Sequence, residues 1–253
     1  MKIKSILVSQ PKPEDVKSPY FDLAEKYCLK IDFRPFIHVE PIAARDFRRE
    51  RINILDHSAV IFTSRTSIDH FYRICNEMRI EVPDDIKYFC VSESVAFYLQ
   101  KYIVFRKRKV FYGNGKFDEV VELVEKYRYD KFLVPLSDIH KQEIPEKLEK
   151  HKFKFTKAIL YRTVISDLSD LKDVSYDILV FFSPAEIHSL IHNFPYFQQN
   201  STKIAAFGPT TSNAVCESGL RLDIFAPTPQ SPSMTMALED FIKKFNKDNN
   251  HKK

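Results

Sequence analysis

Hydroxyl side chains recur at one kind of place in this chain. Thr63 and Ser64, Ser92 and Ser94, Ser183, and Thr210 and Thr211 each follow directly on an apolar run and stand at or just before an amphipathic stretch. A short continuous apolar run suits a strand buried on both faces, and apolar residues at i, i+3, i+4, i+7 make one helical stripe. The hydroxyls therefore fall at the carboxyl ends of strands and the starts of helices. Free backbone N–H groups and the positive end of the helix dipole gather there and attract carboxylates or phosphates. The pattern points to recognition of an anionic small molecule. Helix capping accounts for any one of these hydroxyls taken alone, as in the S-x-x-E of Ser183 and Glu186, and capping and ligand contact use the same helix end.

The elements that must carry these residues are written twice. AVIFTS (59–64), followed by Ile68, Phe71, Tyr72 and Cys75, recurs as ILVFFS (178–183), followed by Ile187, Leu190, Ile191 and Phe194. YFCVSES (88–94) with Val95, Tyr98, Leu99 and Tyr102 recurs as IAAFGPT (204–210) with Thr211, Ala214, Val215 and Ser218. KVFYG (109–113) and its stripe Phe117, Val120, Val121 and Val124 recur as DIFAP (223–227) with Met234, Ala237, Leu238, Phe241 and Ile242. More loosely, ILVSQ (6–10) parallels FLVPL (132–136). Strands and helices alternate throughout in an order A, B, A′, B′. That alternation predicts an α/β fold of two similar parallel-sheet domains, because parallel strands need helical crossovers. A duplicated pair of domains implies a cleft, a favoured place for small ligands.

Composition narrows the functional classes. The chain has 253 residues, 44% of them apolar, enough for two cores. No apolar run approaches the length of a membrane span, and the Lys-rich first residues lead into a strand rather than a signal-peptide core; a cytoplasmic location is expected. The net charge of +5 is mild, and no nucleic-acid motif accompanies the basic clusters at 45–51 and 106–109. Cys28, Cys75, Cys90 and Cys216 lack C-x-x-C spacing and read as buried apolar residues. Four glycines cannot assemble a dinucleotide fingerprint or a P-loop. His188 and His192 stand one helical turn apart, but Ser189 occupies the place of a zinc protease's glutamate and no third ligand is apparent. The polar segment 247–253 reads as a frayed tail.

FFSPAEIHSL (181–190), KIAAFGPTTSNAVCESGL (203–220), IFAPTPQSPSMTMALEDFI (224–242), LYRTV (160–164) and FTSRTSIDHF (62–71) resemble the corresponding blocks of uroporphyrinogen-III synthases. The resemblance covers nearly the whole chain and is most specific in the GPTT block. The repeat alone leaves open how the four segments pair. The resemblance implies that one domain is discontinuous, residues 1–34 with 166–247, that the second spans 43–156, and that 35–42 and 157–165 are linker strands forming a two-stranded ladder. Pro35 and Pro41 suit an edge or linker strand, where no ladder donor is needed.

The resemblance further implies cyclisation of hydroxymethylbilane, a linear tetrapyrrole with acetate and propionate arms, to uroporphyrinogen III with inversion of the terminal ring. No metal or organic cofactor is implied, no nucleic-acid or membrane partner, and the chain is expected to act as a monomer. Loss of the terminal hydroxyl gives an azafulvene, attack at the substituted carbon of the last ring gives a spiro intermediate, and fragmentation with re-closure yields the product. The catalytic task is proximity and orientation. On this basis Tyr161 is the candidate for assisting departure of the hydroxyl, and Thr63, Ser64, Arg65, Ser94, Ser183, Gly208, Thr210 and Thr211 are the candidate substrate-binding residues. Where these synthases often carry Thr-Arg this chain has Ser9 and Gln10; where they often carry Arg-Gly it has Leu136, Ser137 and Asp138; and Glu93 places a carboxylate between Ser92 and Ser94. Those departures favour an alternative: a non-catalytic relative that binds a tetrapyrrole or another acidic metabolite.

Overall fold

The structure is a computed structural model that describes residues 2–15 and 17–250. The chain separates into two compact units, Met1–His38 with Val164–Lys253, and Val39–Thr163.

The first unit is built on a five-stranded sheet of β1 (Ser5–Val8), β2 (Lys30–Phe33), β9 (Ile178–Phe181), β10 (Lys203–Phe207) and β11 (Ile224–Ala226), in the order β11-β10-β9-β1-β2. All its ladders are parallel. Residues along each strand alternate between two buried clusters. Ile6, Val8, Ile178, Val180 and Ala205 face one cluster, capped by α1 (Pro19–Tyr27) and α9 (Met234–Asn250). Leu7, Leu179, Phe181, Ile204 and Ala206 face the other, capped by α7 (Pro184–Asn193) and α8 (Pro209–Glu217). This period-two division of near-continuous apolar runs marks a sheet covered on both sides.

The second unit repeats the plan. Its six-stranded sheet has the order β3-β8-β7-β4-β5-β6, from β3 (Ile37–Pro41), β4 (Ala59–Phe62), β5 (Lys87–Cys90), β6 (Val110–Tyr112), β7 (Lys131–Ser137) and β8 (Lys154–Ile165). The β4 to β8 ladders are parallel. Ile68, Phe71, Ile74 and Cys75 of α3 (Arg65–Met78), with Phe47 of α2 (Ala44–Arg49) and Val95 and Ala96 of α4 (Glu93–Tyr98), cover one face. Phe117, Val120, Val121 and Val124 of α5 (Phe117–Glu125) and Ile144 and Leu148 of α6 (Glu143–Lys150) cover the other. Edge strand β3 lies beside β8, and Pro41 ends it where a missing N–H costs least.

Two expectations are corrected. The α4 stripe does not run as one helix to Tyr102, since the chain tightens into a 3₁₀ turn at Leu99–Lys101. Cys75 and Cys90 are buried, but Cys28 and Cys216 are exposed free thiols. At the C-terminus α9 stays helical through Asn250; the rest of the tail, 251–253, lies outside the described residues.

Candidate functional site

In the second unit, Tyr161, Thr63 and Ser64 line one cavity of roughly 550 Å³ with Ser137, His140, Lys116 and Lys141. The topology explains the convergence. β4 ends at Phe62 and β7 at Ser137, and the register pairs Ser137 with Tyr161 of β8 across a bulge. β4 and β7 end on one side of a parallel sheet, the ligand-binding side of open α/β architectures, and Tyr161 lies within the longer β8 beside the end of β7.

Tyr161 is 8% exposed, and its ring stacks on His70 of α3 at 4.8 Å between centroids and 20° between planes. Arg73 fixes that stack. Its Nε donates to His70 Nδ1 at 3.3 Å, and its guanidinium donates to the carbonyls of Ile42 and Leu160 at 2.8 and 3.2 Å. Burial and the Arg73 charge lower the His70 imidazole's pKa. Burial pushes the Tyr161 phenol above its ordinary value, with a hydrogen bond from Ser64 partly opposing the rise. A phenol held this way stays protonated near neutral pH and can donate its hydrogen to a leaving oxygen. Ser64 also caps α3, since its hydroxyl accepts from the Ser67 amide at 3.0 Å. One side chain thus serves the helix and the tyrosine together.

In the first unit, Ser183 and the segment Gly208–Thr211 stand at the starts of α7 and α8. Glu186 is buried and accepts hydrogen bonds from the amides of Phe182 and Ser183 and from the Ser9 hydroxyl. Burial raises its pKa, and those bonds only partly offset the rise. Ser183 forms a capping box with Glu186 at the start of α7, whereas the Thr211 hydroxyl oxygen is shielded from solvent without a hydrogen-bond partner among the described residues. Gly208 caps α8 with φ +85° and ψ 154°, a backbone conformation that side chains resist. A glycine cap brings no side-chain acceptor, and Pro209 brings no N–H, so the Thr210 and Thr211 amides lack a capping side chain. A helix start with free donors and an unbonded hydroxyl has the chemistry of a carboxylate seat.

The family model described as Uroporphyrinogen-III synthase HemD matches residues 19–236. The chain belongs to the uroporphyrinogen-III synthase family. The uroporphyrinogen-III synthase of Chlorobaculum parvum is 22% identical over 260 residues, covering 95% of this chain and all of that protein. The fold is shared with uroporphyrinogen-III synthetase from Helicobacter pylori, at TM-score 0.64, 16% identity, and coverage of 95% of this chain and 99% of that one. It is also shared with a mutant uroporphyrinogen III synthase from Thermus thermophilus, at TM-score 0.59, 13% identity, and coverage of 96% and 99%.

Against the uroporphyrinogen-III synthase pattern, the departures have local explanations. The Ser9 hydroxyl is engaged by Glu186 at 2.6 Å. Glu93 accepts from the Tyr112 phenol at 3.1 Å, and Ser92 and Ser94 bond each other at 3.1 Å. The Asp138 carboxylate receives the Ser137 hydroxyl and the amides of Ile139 and Thr163 at 2.8 to 3.0 Å. Burial alone would raise its pKa, but these donors outweigh it and hold Asp138 below the ordinary value. Asp138 is a loop organiser, not a stray charge at the cavity.

Arg65 and Ser94 do not line the cavity that holds Thr63, Ser64 and Tyr161; Arg65 lies 5.5 Å over the Tyr98 ring. His70, His140, Lys116 and Lys141 are the site residues that sequence reasoning did not single out. His140, Lys116 and Lys141 follow strand ends at the same spacing as Thr210 and Ser94, but the hydroxyl pattern did not draw attention to them. Among the described residues no group of three or more His, Cys, Asp or Glu is placed to hold a metal.

Proposed function

We propose that this chain cyclises hydroxymethylbilane to uroporphyrinogen III, inverting the terminal ring, in tetrapyrrole biosynthesis. Family membership sets the reaction class, and one observation favours catalysis over a binding-only relative: a buried, protonated Tyr161 stacked on His70 at the wall of a cavity. A pure binding module needs no phenol held in one rotamer. In this reading the Tyr161 hydroxyl donates to the departing oxygen as the azafulvene forms. Thr63 and Ser64 contact the substrate beside it. Ser183, Gly208, Thr210 and Thr211 receive acetate or propionate arms through hydroxyls and backbone N–H groups. Arg65 and Ser94 are assigned to outer contacts with the arms.

Spontaneous closure of the azafulvene gives the symmetric isomer, so the protein's work is to favour attack at the substituted carbon. The chain acts as a cytoplasmic monomer on this small molecule; light scattering and cell fractionation check both points. The test of activity is product identity. Purified protein supplied with fresh hydroxymethylbilane should yield oxidised products rich in isomer III relative to a protein-free control. Isomer I alone, with retained binding of the tetrapyrrole, would establish the binding-only reading instead.

A further inference from the structure

We propose that His140, flanked by Lys116 and Lys141, is a substrate-binding residue that holds one carboxylate arm beside Tyr161. The inference deepens the assignment above and rests on it. His140 Nδ1 lies 2.8 Å from the Ser137 carbonyl, so that nitrogen carries a hydrogen and donates it. The other ring nitrogen, Nε2, is shielded from bulk solvent and has no partner among the described residues, although the residue lines the cavity. Native structures rarely leave a buried polar atom without a partner. Here the wall of the cavity offers what such an atom lacks.

The loop that holds the imidazole is preset. Asp138 binds the Ser137 hydroxyl and the Ile139 and Thr163 amides, and its own amide donates to the Tyr161 carbonyl at 3.1 Å. His140 and Tyr161 are therefore positioned by the same residue pair, Ser137 and Asp138. The charged and titratable groups facing the cavity are Lys116, Asp118, Lys141, Glu143 and Tyr161. Lys147 bridges Asp118 at 2.6 Å and also contacts Glu143, which neutralises much of the negative charge. Lys116 and Lys141 make no ion pair among the described residues, so the balance at the cavity is cationic. A polycarboxylate substrate supplies the matching group. With Nδ1 donating to the Ser137 carbonyl, Nε2 is the ring atom left to meet that group, and as an imidazolium it donates to the carboxylate.

H140N keeps an amide N–H for the Ser137 carbonyl and removes Nε2. It should raise the KM for hydroxymethylbilane about tenfold, with kcat within about twofold. Calorimetry with reduced uroporphyrinogen III as ligand should show about tenfold weaker binding by H140N than by the wild type. H140Q, whose amide reaches toward the Nε2 position, should recover part of the KM and part of the affinity. Unchanged KM and unchanged affinity in a folded H140N would overturn the inference. Should H140N fail to fold, the K116M/K141M double variant decides: a several-fold rise in KM supports the carboxylate seat, and an unchanged KM removes it. A wild type that makes only isomer I would count against the reaction itself, a separate outcome from wild-type isomer III production with an indifferent H140N.

Discussion

Replacing Thr211 with valine should stabilise the protein and weaken its hold on substrate. Thr211 is 1% exposed in α8, and its hydroxyl oxygen has no partner among the described residues. Valine has the same shape and nearly the same helix propensity, so the substitution removes an unbonded polar group and leaves packing against the Val215 face intact. A buried donor without a partner costs roughly 1–3 kcal/mol, and relief of that cost should raise Tm by roughly 2–4 °C per kcal/mol for a chain of this size. A hydroxyl that bonds a carboxylate arm contributes about 1.5–3 kcal/mol, the usual worth of a hydrogen bond to a charged group. Its loss should raise KM about 10- to 150-fold. Thermal denaturation by circular dichroism reads the first quantity, and initial rates against hydroxymethylbilane concentration read the second. A lower Tm for Thr211→Val would show that the hydroxyl is bonded in the folded protein, and an unchanged KM would show that it meets no substrate; either result refutes the reasoning at α8.

Tyr161→Phe keeps the stack on His70 and removes only the hydroxyl, so kcat should fall about 10- to 100-fold with a stability loss of about 1 kcal/mol; single-turnover kinetics with melting curves separate the two, and an unaltered kcat returns the residue to packing. Gly208→Ala meets no steric obstacle but must adopt φ +85°, which should cost about 1–3 kcal/mol in urea titration. His57 is buried between the Asn53 carbonyl at 2.9 Å and the Thr156 hydroxyl at 2.9 Å, and burial lowers its pKa. Protons bind the unfolded imidazole first, so stability is full above about pH 6.5 and declines as pH falls toward the lower folded value; His57→Gln should flatten that decline in Tm measured against pH.

The fold was readable because its evidence is repeated and apolar. The stripe Phe117, Val120, Val121 and Val124 is buried in full, and the paired runs at Ala59 and Ile178 became central strands with period-two faces. Such patterns survive in sequence because hydrophobic burial is non-directional and needs only residue type and spacing. The polar part of the site obeys a different rule, since a hydrogen bond depends on where its partner ends up. The sequence placed Asp138 and Glu93 near the candidate site, but only the fold shows them bonded to Thr163 and Tyr112. Arg65 occupies the first turn of α3 one residue after Ser64, yet neighbours along a helix point about 100° apart, and it lies over Tyr98 while Ser64 meets Tyr161. His140 was hidden for the opposite reason. Its significance rests on a carbonyl bond at one nitrogen and an unbonded atom at the other, neither of which has any counterpart in residue order. Unpartnered buried atoms at Thr211 and His140 therefore mark where a ligand would gain a hydrogen bond more sharply than the hydroxyl pattern that first pointed to an acidic small molecule.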